Sequence, residues 1–143
     1  MGESMCANLL ACDVGLKRIG IAIHTQGITL PLAPILRKNR NQASNALSNI
    51  LKEKQISTLI VGIPKRENIE ETHEMERRIK HFISLIEFGG EIVYVDESYS
   101  SAEAQERLYA LSKKERSEKI KNGELDSLSA MIILERYLSQ KNS

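Results

Sequence analysis

The segment Leu9-Leu10-Ala11-Cys12-Asp13-Val14-Gly15-Leu16-Lys17-Arg18-Ile19-Gly20-Ile21-Ala22-Ile23 limits the fold more than any other. Two apolar runs flank a short turn that carries a glycine and two cations, the pattern of a β-hairpin with buried strands. One acid, Asp13, stands where the middle of a sheet should be. A carboxylate there is costly unless something positive meets it, and a divalent cation is a common answer. The chemistry of such a chain turns on whether other carboxylates reach Asp13.

The remaining pattern supplies a sheet and helices. After strands over Leu9 to Asp13 and Ile19 to Thr25, Gln26-Gly27 marks a turn. A third strand begins at Ile28 and contains Pro31, with Pro34 close behind, which suits an edge position because proline cannot donate to the ladder. Ala43, Ala46, Leu47, Ile50 and Leu51 recur at helical spacing and predict a helix from Asn41 to Lys54. Leu59-Ile60-Val61 is continuously apolar and ends at Gly62, as in a strand buried on both faces and paired in parallel. Met75, Ile79, Phe82, Ile83 and Ile86 form the stripe of a second helix, which Gly89-Gly90 is expected to stop. Ile92 to Val95 is the last strand and leads into Asp96-Glu97.

A third helix should open at Ser100, capped by Ser100 and Glu103. A final helix runs from Leu125 to Leu138, with Leu128, Met131, Ile132, Leu134, Tyr137 and Leu138 as packing residues. A meander followed by alternating helix and strand predicts an α/β fold: a mixed five-stranded sheet, three antiparallel strands then two parallel, with helices on both faces. At 143 residues the chain is expected to form one domain spanning 1–143.

Charge is balanced, with formal net charge +1, so distribution matters more than the sum. Lys113, Lys114, Arg116, Lys119 and Lys121 crowd one segment, against Glu115 and Glu118. Smaller groups are Lys17-Arg18, Lys65-Arg66, Arg37-Lys38 with Arg40, and Arg77-Arg78 with Lys80. Such groups are most often solvated faces and loop tips. No apolar run is long enough to span a membrane, and no secretory signal is visible, so a cytoplasmic location is expected. Cys6 and Cys12 lack metal-ligand spacing and read as small apolar fillers. His24, His73 and His81 are separated and read as structural or exposed. Tyr99 reads as a partly buried side chain, with stacking on a nucleic-acid base as the alternative.

Three acids stand at strategic places: Asp13 at the end of the first strand, Glu97 after the last, and Asp126 in the first turn of the final helix. Active sites in such sheets gather at the carboxyl ends of the strands. Carboxylates from three elements suit Mg²⁺ or Mn²⁺, hard ions that accept oxygen ligands and keep water.

This order of acids resembles the ribonuclease-H-like nucleases. More closely, the chain resembles the YqgF/RuvX family of Holliday-junction resolvases. The resemblance is carried by D-V-G-L-K-R-I-G-I-A at Asp13 to Ala22 and I-V-G-I-P at Ile60 to Pro64. It continues with V-D-E at Val95 to Glu97, S-S-A-E at Ser100 to Glu103, and D-S-L-S-A-M-I-I-L-E at Asp126 to Glu135. It implies a ribonuclease-H-like fold, and Asp13, Glu97 and Asp126 as catalytic, metal-binding acids. The register of the motif selects Glu97 over Asp96. The implied activity is metal-dependent hydrolysis of phosphodiester bonds in structured nucleic acid, either branched DNA or precursor ribosomal RNA. Lys17, Arg18, Lys65, Arg66, Lys113 and Lys114 are the expected nucleic-acid contacts. A two-fold symmetric junction further implies a homodimer.

The chain departs from that pattern in three places. Ser98 stands where the family usually has Arg, and Glu124 where a Lys is common. Lys65-Arg66-Glu67-Asn68 lacks the usual glycine. Two missing cations lower the positive potential near a scissile phosphate, which motivates an alternative: a nucleic-acid- or partner-binding protein of the same fold with weak or lost catalysis. Asp-Val-Gly after a first strand also resembles the phosphate motif of actin-like ATPases. Those proteins close two such domains around a nucleotide, and this chain has the length of one.

Overall fold

The computed structural model describes residues 8–15, 17–63, 68–96 and 124–141. In chain order the elements are β1 (Asn8–Val14), β2 (Arg18–Thr25), β3 (Ile28–Leu36), α1 (Arg40–Glu53), β4 (Ile56–Ile63), α2 (Ile69–Ser84), β5 (Glu91–Asp96) and α3 (Glu124–Lys141). The strands form one sheet in the order β3-β2-β1-β4-β5. β1 pairs antiparallel with β2 and parallel with β4, and β4 pairs parallel with β5. The mixed sheet expected from the sequence is thus present, with β1 at its centre. The helix expected from Ser100 lies outside the described residues, as do Cys6 and Tyr99.

Alternation along β1 divides the core in two. Leu10, Cys12 and Val14 face one layer with Ile19, Ile21, Leu59 and Val61, and α1 and α2 cover it through Leu47, Leu51, Ile79 and Phe82. Ala11 faces the other layer with Ala22 and Ile60, covered by Ala130, Ile133 and Leu134 of α3. Helices therefore lie on both faces. Cys12 is buried among apolar neighbours, as its sequence context predicted.

Local signals set the helix starts. The Asn39 side chain accepts from the Gln42 amide at 2.8 Å and caps α1. Asn68 does the same for α2, accepting from Glu70 and Glu71 at 2.8 and 3.3 Å. Each such cap contributes on the order of 1 kcal/mol. β3 is an edge strand, as its prolines predicted, and one boundary, the end of α2, differs from expectation. β3 continues through both prolines to Leu36, and the β2–β3 register shifts between Ile19 and Ile21. A strand with one free edge can absorb residues that donate nothing. α2 ends at Ser84, with Leu85 as its C-cap, well before Gly89-Gly90. Ile86 and Phe88 pack against the core after the helix has ended. Gly90 instead permits a close approach of two chain segments, because a Cβ there would collide with the Ser57 carbonyl oxygen.

Candidate active site at the carboxyl edge of the sheet

β1, β4 and β5 run parallel, so their carboxyl ends share one edge of the sheet. Asp13 is the penultimate residue of β1 and is half-buried. Its neighbours Cys12 and Val14 face the α1–α2 layer, so alternation turns Asp13 to the α3 face with Ala11. Directly opposite on β2 stands Gly20, which has no side chain to crowd the carboxylate. Arg18 lies two residues from Gly20 on the same face, diagonal to Asp13 and within reach of a long side chain.

The start of α3 is held over this edge. Ser127 is fully buried, and its hydroxyl donates to the Leu32 carbonyl oxygen at 2.6 Å. Leu32 pairs with Ile21, and Ile21 with Cys12. The first turn of α3 is therefore level with the last residues of β1. Asp126 lies in that turn; its side chain is outside the described atoms. The small residues Ala11, Ala22 and Ala130 let the helix sit close to the sheet.

At the other side, Asp96 ends β5 and pairs with Ile63. β5 lies two strand spacings from β1, about 9.5 Å. Glu97 follows Asp96 in sequence and is outside the described residues, as are Lys65, Arg66, Lys113 and Lys114. Among the described residues no three His, Cys, Asp or Glu side chains converge as a metal site. The chemistry of the acid described would suit a hard cation: Asp13 is a half-buried carboxylate, and Asp126 belongs to the helix laid over its face.

The turn after Asp13 is tightly built. The Gly15 amide donates to the Arg18 carbonyl at 2.9 Å, and a Cβ on Gly15 would lie 2.6 Å from that same oxygen. The Arg37 guanidinium donates to the Gly15 carbonyl at 2.8 Å, and the Arg37 amide to the Lys17 carbonyl at 2.8 Å. That guanidinium also stacks on the Phe82 ring, 4.9 Å from its centroid. Arg37 thereby ties the turn to α2. Burial and the neighbouring Arg40 lower its pKa, yet a guanidinium remains charged in proteins. Lys17 is exposed at the hairpin tip. His24 is structural, its Nδ1 paired with the Thr29 hydroxyl at 2.9 Å.

Residues 7–140 match the family profile described as RuvX Holliday junction resolvase. The chain belongs to that family. Its relatives include a protein of Helicobacter pylori (strain HPAG1) named "Putative pre-16S rRNA nuclease", 55% identical over 92% of this chain and 96% of the relative. A protein of the same name from Campylobacter jejuni is 54% identical, covering 91% of this chain and 97% of its own. Among solved structures, the fowlpox virus Holliday junction resolvase is a distant likeness, with a TM-score of 0.47 at 13% identity, covering 95% of this chain and 99% of that one. Among the described residues no helix is long and apolar enough to cross a membrane.

One set of cations was not singled out by the sequence as functional. Arg37, Arg40, Arg77, Arg78 and His81 line a common cleft on the α1–α2 face. Each pair was visible in sequence as a basic group, but their meeting depends on α1 and α2 lying side by side.

Proposed function

We propose that the chain is a divalent-metal-dependent nuclease that hydrolyses phosphodiester bonds in structured nucleic acid, working as one domain over residues 1–143. The observation that carries this reading is the placement of Asp13. It sits at the carboxyl edge of the central strand, on the face where the first turn of α3 is laid. Asp13, Glu97 and Asp126 are the proposed metal ligands. Mg²⁺ or Mn²⁺, when bound there, would lower the pKa of a coordinated water and offset charge on the leaving oxygen. Arg18 and Lys17 would hold the phosphate backbone, a role that needs charge more than fixed geometry. They take up the part that Ser98 and Glu124 leave unfilled. The substrate is branched DNA, as the family name says, or precursor ribosomal RNA, as the relatives' name says. A cytoplasmic location fits either substrate, and a homodimer suits a two-fold junction.

The test is cleavage of a four-way DNA junction and of a structured precursor-rRNA fragment in Mg²⁺ or Mn²⁺. Wild type should cut at least one of them, chelation should stop the reaction, and Glu97→Gln and Asp126→Asn should each fail to cut. Binding without cleavage by the wild type in both ions, equal to that of the variants, would replace this reading with that of a binding protein.

A further inference from the structure

On the face of the sheet away from α3, a cleft of about 630 Å³ opens between the start of α1 and the middle of α2. That volume lies in the usual range of ligand sites. Its walls carry Arg37, Arg40, Arg77, Arg78 and His81 beside the apolar Met75 and Ile79, and Val14-Gly15 forms part of its floor. Among the described lining residues none is acidic. Arg37 is committed to the Gly15 carbonyl and the Phe82 ring. Arg78 pairs with Glu74 at 2.6 Å on an exposed surface. Arg40 and Arg77 are exposed and have no acidic partner among the described residues.

We infer that this cleft holds the phosphate backbone of the substrate strand next to the bond that is cut; the inference rests on the nuclease reading. Two observations meet here. Guanidiniums brought together repel one another unless an anion joins them, and their planar forks match phosphate oxygens. Position is the second. The floor at Val14-Gly15 begins one residue after Asp13, within about 7 Å along the extended chain. A strand crossing the edge of the sheet at Asp13 passes directly from the carboxylate face to the arginine face. The scissile phosphate would meet the acids, and flanking phosphates would descend into the cleft. Such contacts carry no sequence information, so the site fixes where the strand lies and not what it reads.

Equilibrium binding of a labelled four-way junction and a labelled structured RNA, in Ca²⁺ without turnover and across a range of KCl, tests this. The double variant R40A/R77A should bind about 10-fold or more weakly, and its salt slope should fall by about 1–2. R40K/R77K should restore the salt slope but only part of the affinity, because lysine keeps the charge and lacks the fork, and the melting temperature should not move. Wild-type binding with an unchanged affinity and slope in R40A/R77A overturns the cleft assignment and leaves the nuclease reading standing. Cleavage lost in Glu97→Gln but retained in R40A/R77A at saturating protein separates the two in the other direction. Calorimetry with inorganic pyrophosphate and ATP distinguishes a free ligand. Tight binding abolished in R40A/R77A, with nucleic-acid affinity unchanged, would assign the cleft to a free polyphosphate and overturn the strand assignment.

Discussion

Under α3, Ala11 and Ala22 of the sheet meet Ala130 of the helix beside Ile60, Ile133 and Leu134, whereas the α1–α2 layer is filled by Leu10, Ile21, Leu47 and Phe82. The first arrangement gives up apolar volume for closeness. A helix over alanines comes near the sheet, and whatever its first turn carries comes near Asp13. The second buries large side chains and supplies most of the apolar burial among the described residues. On the proposed reading one layer positions the chemistry and the other holds the molecule together, although both meet the same strand end.

Asp13→Asn is the sharpest way to break this contrast. It should reduce cleavage on the order of 10³-fold or more, about 4 kcal/mol of transition-state stabilisation, with little change in melting temperature. A large loss of stability instead would make Asp13 a structural residue. Leu10→Ala acts on the other layer of the same strand. It should cost about 3 kcal/mol through lost burial and a residual cavity, read as a drop of roughly 10 °C in a thermal melt. The fraction that stays folded should still cut. Ala130→Leu probes the close layer in the opposite sense. Overpacking should cost about 2 kcal/mol, and cleavage should fall further than the folded fraction does, because α3 must lift. Equal losses in folding and cleavage would show that closeness has no catalytic value. The smallest effect belongs to Glu74→Ala. Its ion pair with Arg78 is solvent-exposed, so stability should change by no more than about 0.5 kcal/mol. Nucleic-acid affinity should rise slightly as Arg78 is released.

The sheet was legible because its signals are local. Two apolar runs around Gly15 defined the hairpin, and the unbroken Leu59-Ile60-Val61 run marked a strand buried on both faces. Helix ends were less so. Gly89-Gly90 looks like a helix stop, but Gly90 answers a close approach to Ser57, a residue far away in the chain. The α3 stripe was read from its large side chains. Buried Ser127 and Ser129 carried no hydrophobic signal, although Ser127 is what anchors the helix. Asp13 stood out because a lone acid in an apolar run is energetically odd. The arginine cleft did not, because Arg37 and Arg77 lie 40 positions apart and each looks like an ordinary solvated cation.

The hydrogen bond from Ser127 to Leu32 indexes α3 against the outermost described part of the hairpin sheet. The helix is thus set along its axis by an atom of the sheet, and not by the length of chain that leads into it. A register fixed in this way carries over to Asp126, the residue just before Ser127 in the first turn of α3.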